Sequence, residues 1–275
     1  MANKMRIDQL IVDRGLIESR EKAKRSIMAG LVFSNGQRID KPGTKVSDDI
    51  DIQVKGKLFP YVGRGGLKLE KAIKTFHLDL KEKIMIDVGS STGGFTDCAL
   101  QNGVSLSYAV DVGYNQLDWK LRNDPRVIVM ERTNFRYVTI DMLEDKQPDF
   151  ATVDVSFISL KLILPPLFKL LKENSDCVIL IKPQFEAGKE EVGKKGIVRE
   201  AAIHERVLND ILTFSHQTGF EFLNLTFSPI TGGDGNIEFL AWLRKSSVNE
   251  CSLPEMVGQI KEVVQTAHLE LNKKD

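Results

Sequence analysis

Residues 84–97 read Ile-Met-Ile-Asp-Val-Gly-Ser-Ser-Thr-Gly-Gly-Phe-Thr-Asp, and this stretch constrains the fold more than any other. An apolar run carrying Asp87 meets a glycine-rich turn, and an aliphatic stretch follows. That order predicts a strand, a tight turn and a helix. Gly89, Gly93 and Gly94 allow backbone to approach a ligand closely, and the helix start offers unpaired N–H groups. Roughly twenty residues further on, a second apolar run, Tyr108-Ala-Val-Asp111, ends on an acid suited to accept hydrogen bonds from a ribose diol. The spacing fits the nucleotide-binding half of a doubly wound α/β sheet. The glycines do not read G-x-G-x-x-G, and the turn lacks a basic partner for a phosphate. A nucleoside ligand without phosphate, S-adenosyl-L-methionine, therefore fits better than NAD. Asp87 is a candidate contact for the cofactor's amino group, Ser90 and Phe95 belong to the same cofactor-binding turn, and Asn134, after the third strand, is a candidate adenine contact.

A chain of 275 residues has room for one full α/β domain and a small one. Lys and Arg number 38 against 38 Asp and Glu, so bulk charge argues neither for nor against nucleic acid. Cys98, Cys177 and Cys251 lack metal-ligand spacing and read as small buried hydrophobes in a reducing compartment. No apolar run approaches bilayer length, and the N-terminus has no signal-peptide core. The expected location is cytoplasmic, with no membrane requirement and no feature that calls for a protein partner.

The neutral average hides an asymmetry. Residues 1–59 hold 12 Lys and Arg against 8 Asp and Glu, which leaves a deficit of the same size in the remainder. Ile7, Leu10, Ile11, Val12 and Leu16 recur at helical spacing, and Ser19 reads as the N-cap of a second helix, Arg20–Ala29, closed by Gly30. Short β-like pieces follow, including an Asn35-Gly36 hairpin turn and the segments at Lys45 and Asp51–Val54. Arg6, Arg14, Arg20, Lys24 and Arg25, with Arg64 further on, are candidate phosphate contacts. The glycine- and proline-bearing stretch near residues 60–66 reads as a linker before a helix at Leu67–Phe76.

Beyond Asp111 the apolar runs Arg126–Met130, Phe150–Asp154, Cys177–Lys182, Glu221–Thr226 and Glu238–Leu243 alternate with helical stretches, notably 159–173 and 200–218. The alternation predicts a mostly parallel sheet with ligands at its carboxyl ends. Asp154 and Lys182 each end an apolar strand, where a charge is costly unless paired or facing a cleft. Lys68 follows the linker, and Glu238 opens the last strand. The expected division is a small α+β domain at 1–59, a linker at 60–66, an α/β domain at 67–245 and a helical tail at 246–275.

Residues 6–55 resemble the small RNA-binding domain named after ribosomal protein S4, on Arg6-Ile-Asp-Gln-Leu, Ser19-Arg-Glu-Lys-Ala and Asp49-Ile-Asp-Ile-Gln-Val. Lys68, Asp154, Lys182 and Glu238, in this order, resemble the catalytic set of the FtsJ-like RNA ribose methyltransferases. With the landmarks Arg64-Gly-Gly-Leu-Lys68, Asp87–Asp97, Asp154-Val-Ser-Phe-Ile-Ser, Ile181-Lys182-Pro-Gln-Phe-Glu186, Lys195–Arg199 and Gly235-Asn-Ile-Glu238, the chain resembles the TlyA, or hemolysin A, family. The resemblance implies a Rossmann-like domain with a seven-stranded, mostly parallel sheet. It also implies methyl transfer from S-adenosyl-L-methionine to a ribose 2′-hydroxyl of ribosomal RNA, free or in a ribosomal subunit. A ribose hydroxyl is a weak nucleophile, so a group must orient it and remove its proton, and no metal is called for. Burial beside a second cation favours a neutral amine, which is the state a lysine base needs. Two other readings compete: an RNA-binding protein with an idle methyltransferase-like domain, and a membrane-acting hemolysin.

Overall fold

The computed structural model describes residues 4–28, 30–55, 60–143, 146–193, 196–232, 235–246 and 253–271, with side chains of the last helix from 256 onward. Segment 56–59, Lys195 and Cys251 lie outside the described residues. The chain divides into two compact units, Met1–Arg64 and Gly65–Asp275.

The first unit contains β1 (Lys4–Arg6), α1 (Ile7–Asp13), α2 (Arg20–Met28), β2 (Val32–Ser34), β3 (Gln37–Arg38), β4 (Lys45–Ser47) and β5 (Gln53–Val54). Strand β1 pairs antiparallel with β4, and β3, β2 and β5 form a second sheet in that order. Asn35 and Gly36 adopt φ of 48° and 77° between paired Ser34 and Gln37, as a two-residue primed turn requires. Ser19 Oγ accepts from Lys22 N at 3.3 Å and caps α2. Ile7, Leu10 and Ile11 of α1 pack with Ala23 and Ile27 of α2 and with Val32, Val46 and Ile52 as one core.

The second unit contains α3 (Gly66–Phe76), β6 (Ile84–Val88), α4 (Gly94–Gln101), β7 (Leu106–Val110), α5 (Trp119–Arg122), β8 (Val127–Met130), β9 (Phe150–Val153), α6 (Leu164–Leu170), β10 (Asp176–Ile181), α7 (Pro183–Glu186), α8 (Ala201–Thr218), β11 (Phe220–Phe227), β12 (Phe239–Lys245) and α9 (Leu253–Leu271). Its seven-stranded sheet runs β11-β12-β10-β9-β6-β7-β8. Strands β6 to β10 are mutually parallel, while β12 pairs antiparallel with both β10 and β11. The central strands are buried on both faces, as expected for a sheet covered by helices.

Two stretches differ from the sequence expectation. The helix expected over 159–173 is a 3₁₀ turn at Leu160–Leu162 followed by α6. Pro165 and Pro166 lack an N–H to donate, so a helix starts at them rather than running through. The tail belongs to the second unit: α9 packs against α8 and β11, burying Met256, Ile260, Val264, Ala267 and Leu271. That three-and-four spacing is one helix face. His204 of α8 and His268 of α9 share a hydrogen bond of 2.9 Å between Nδ1 and Nε2, and burial pushes His204 down to about 4.

Candidate active site

The turn after β6 is shaped by what stands beside it. Gly89 has φ of +85°, and a β-carbon there would lie 2.5 Å from the carbonyl oxygen of Asp154. Only glycine lets the two strand ends come this close. Asp87 itself is fully buried: its Oδ2 accepts from Thr96 N at 3.1 Å and Thr96 Oγ1 at 2.7 Å, and its Oδ1 accepts from Thr152 Oγ1 at 2.7 Å. Burial pushes the carboxyl up to about 6 despite these bonds. Its present contacts tie β6, α4 and β9 together.

At the end of β7, Asp111 Oδ2 accepts from Ser91 N at 2.8 Å and Oδ1 from Gly113 N at 2.7 Å. Each carboxylate oxygen retains further acceptor capacity for a hydroxyl. Asp111 is half-buried, Ser91 and Thr92 are exposed, and Ser90, Gly93, Gly94 and Phe95 are buried behind them. Thr133 N donates to Asp111 O at 2.9 Å, which sets Asn134 near the same strand end, where its side chain accepts from Arg136 N at 3.2 Å. An open turn of backbone amides, a close-approach glycine and an adjacent half-buried acid fit a nucleoside cofactor without phosphate.

The four charged residues converge. Val153 stands opposite Val88 and Ile179, and Ile181 opposite Phe239. Asp154 and Lys182 thus leave the carboxyl ends of parallel strands, and Glu238 reaches the same end because β12 runs the other way. Lys68, on α3, donates to Glu238 Oε2 at 2.7 Å and lies 3.7 Å from Asp154 Oδ2. Lys182 Nζ lies 2.5 Å from Asp154 Oδ1 and donates to Ser156 Oγ at 2.9 Å. Lys68, Lys182 and Glu238 are all buried. A β-carbon on Gly232 would come 2.3 Å from Glu238 Oε1, so a glycine makes room for that carboxylate. Burial alone raises Asp154, but Lys68 and Lys182 outweigh it and hold the carboxyl below its ordinary value.

Three neighbours lie in the landmark segments but were given no role by the sequence reading. Ser156 accepts from Lys182, and Phe157 is 91% exposed with φ of 62°. The Phe157 ring lies 4.9 Å from that of Phe185, whose ring is 5.9 Å from Lys182 Nζ. A large aromatic just after a strand-ending acid was the available signal. Among the described residues, no group of three or more His, Cys, Asp or Glu gathers as metal ligands do.

The basic residues of the first unit divide into two kinds. Asp8, fully buried, accepts from Arg6 Nε at 2.9 Å and Arg20 Nε at 3.0 Å, and the Arg6 bonds hold its carboxyl down to about 2. Arg14 donates to the carbonyls of Ile50 and Asp48, both at 2.6 Å, and Arg25 donates to that of Tyr61. Lys24 and Arg64 are exposed.

Sheet order, glycine turn and acid at the second strand define the class: an S-adenosylmethionine-dependent methyltransferase fold. The FtsJ-like methyltransferase family matches residues 61–245 and the S4 domain residues 5–49, and the chain belongs to that methyltransferase family. It is 60% identical over 275 residues to YqxC of Bacillus subtilis, provisionally named an rRNA methyltransferase, covering 99% of this chain and 97% of that one. It is 40% identical to the 16S/23S rRNA (cytidine-2′-O)-methyltransferase TlyA of Mycobacterium tuberculosis, covering 89% and 91%. A solved structure from Streptococcus thermophilus, provisionally called a hemolysin, superposes with a TM-score of 0.79 at 53% identity, covering 99% and 98%.

Proposed function

We propose that this chain methylates a ribose 2′-hydroxyl of ribosomal RNA, with Lys68, Asp154, Lys182 and Glu238 as its catalytic group. The observation that carries this reading is the meeting of those four side chains at the sheet end that also bears the glycine turn. The YqxC and TlyA relatives, both named for rRNA methylation, support the same substrate class.

S-adenosylmethionine, when bound, supplies a methyl group already activated by its sulfonium. Asp111 would accept from the cofactor's ribose hydroxyls, and the Gly89–Gly94 turn would hold its amino-acid end. Asp87 would act through the turn it braces, and Asn134 would serve the adenine side. As a neutral amine Lys182 has two N–H positions, which serve Asp154 and Ser156. Its lone pair is left to meet the ribose 2′-hydroxyl, hold it in line and take its proton, giving the ammonium. Asp154 fixes the ammonium, and the Lys68–Glu238 pair braces Asp154 from the other side. The exposed Phe157 ring offers a face for a base next to the reacting ribose.

The S4 domain holds the RNA. Lys24 and Arg64 offer exposed charge, and Arg6 and Arg20 keep part of each guanidinium in solvent while anchored on Asp8. The physiological substrate is ribosomal RNA or a ribosomal subunit in the cytoplasm. The paired tetrad argues against an idle domain, because three buried charges and a half-buried one are costly to keep without use. Among the described residues no helix is long and apolar enough to cross a membrane. Purified protein is expected to methylate ribosomal RNA and to leave dye-loaded liposomes intact. Dye leakage without methylation would favour the lysin.

A further inference from the structure

We propose that Glu186 is a positioning residue for methyl transfer, locking the loop after β9 against α7 so that Lys182 keeps both of its acceptors. The proposal rests on the reading of Lys182 given above. Lys182 is the residue immediately before α7, and its two acceptors, Asp154 Oδ1 and Ser156 Oγ, sit on the loop that leaves β9. The direction of the ammonium therefore depends on how that loop is held.

The loop is not at rest by itself. Phe157 sits at φ of 62°, a region that is strained for a non-glycine residue and persists only where the surroundings enforce it. The Phe157 ring is 91% exposed, so its contact with Phe185 supplies little of that enforcement. The enforcement comes from the next residues. Ser159 Oγ donates to Glu186 Oε2 at 2.6 Å and Leu160 N donates to Glu186 Oε1 at 2.8 Å, so both carboxylate oxygens grip the far end of the loop. Hydrogen bonds to a charged acceptor are the stronger kind. Leu160 is almost fully buried, which fixes that end in the core. Lys182 and Glu186 bracket a single helical turn, and the loop residues they hold, Ser156 and Ser159, bracket Phe157. The two grips close a ring of links that includes Lys182.

The test measures methyl transfer from labelled S-adenosylmethionine to ribosomal RNA by wild type, Glu186→Ala, Glu186→Gln, Ser159→Ala and, in parallel, Lys182→Ala. Glu186→Ala is expected to lower kcat about tenfold or more, with RNA KM, cofactor Kd and Tm little changed. Glu186→Gln is expected to recover most of the rate, since the amide oxygen still accepts from Leu160 N and the Ser159 hydroxyl can turn to accept. Ser159→Ala, which cuts one link, should fall between them. Wild-type kcat in Glu186→Ala overturns the proposal, as does equal damage in Ala and Gln, or a loss of rate matched by loss of cofactor binding. If Glu186→Ala does not fold, an unchanged kcat in Ser159→Ala overturns it. An active Lys182→Ala removes the premise instead, and so separates failure of the Lys182 reading from failure of this one.

Discussion

Lys68 and Glu238 stand 170 positions apart and meet at 2.7 Å, joining the first helix of the α/β unit to the start of its last strand. The pair is buried, and Asp154 at 3.7 Å from Lys68 links it to Lys182. Removing one partner of a buried pair leaves a charge without its match, which is worse than removing both.

Glu238→Ala and Lys68→Ala should therefore each destabilise the protein by about 1–3 kcal/mol, less than an isolated buried pair because Asp154 stays nearby. The double replacement Lys68→Met with Glu238→Leu should cost less than the sum of the singles. Urea denaturation of the four proteins closes the cycle, and strictly additive losses would show that the two residues do not act together.

Gly89→Ala should cost about 2–5 kcal/mol, since strain at φ of +85° adds to a clash with the Asp154 backbone. Gly235 shares a positive φ of +91° but has open space around it, so Gly235→Ala should cost only about 1–2 kcal/mol. Activity should fall with Gly89→Ala, because the carbonyl it displaces belongs to Asp154. Equal effects at the two glycines would remove the close approach from the account.

Asp111→Ala should weaken S-adenosylmethionine binding by about 1–3 kcal/mol, read by calorimetry. Two backbone N–H groups, of Ser91 and Gly113, lose their acceptor at the same time. Unaltered affinity would take Asp111 out of the cofactor site.

RNA affinity should fall steeply with salt, and charge reversal at Lys24 or Arg64 should weaken it and reduce the log–log salt slope by about 1 for each phosphate no longer neutralised. Arg14→Ala should act on stability instead, because its guanidinium holds the Asp48 and Ile50 carbonyls. A salt slope unchanged by both reversals would return these residues to ordinary solvated charge.

His204, buried and lowered to about 4, contributes a pH dependence of known sign. The unfolded chain takes up a proton near the ordinary histidine value of about 6.5, and the folded chain does so only near 4. The His204 contribution to stability is thus present above about 6.5 and lost as pH falls toward 4. Asp87, raised to about 6, runs the other way over much of the same range. Comparing wild type with His204→Asn across that window isolates the histidine: the variant should lose stability less on acidification. Parallel curves would assign the acid sensitivity elsewhere.

What could be read from the sequence followed from how local the determinant was. The turn at Gly89–Gly94 and the acid at Asp111 were legible because glycine placement and strand-end polarity are written within single segments. That Glu238 reaches the same sheet end as Lys182 depends on β12 running antiparallel to β10, and an apolar run carries no mark of its direction; only the family resemblance supplied it. The β1–β4 pair was invisible because three-residue strands with mixed exposure lack a periodic signature. The uses of Arg6, Arg14, Arg20 and Arg25 were also hidden, since each meets a partner set by the fold. The grip of Glu186 on Ser159 spans 27 positions and follows from no spacing rule.

The central claim is that Lys182 serves the methyl transfer itself. The most direct measurement is single-turnover methylation of ribosomal RNA by wild type and Lys182→Ala at saturating cofactor, with the product digested in alkali. The account predicts that wild type leaves an alkali-resistant phosphodiester beside a 2′-O-methylated ribose, and that Lys182→Ala binds cofactor and RNA normally yet scarcely reacts. Methyl recovered on a base, or a Lys182→Ala enzyme that keeps most of its rate, would contradict it.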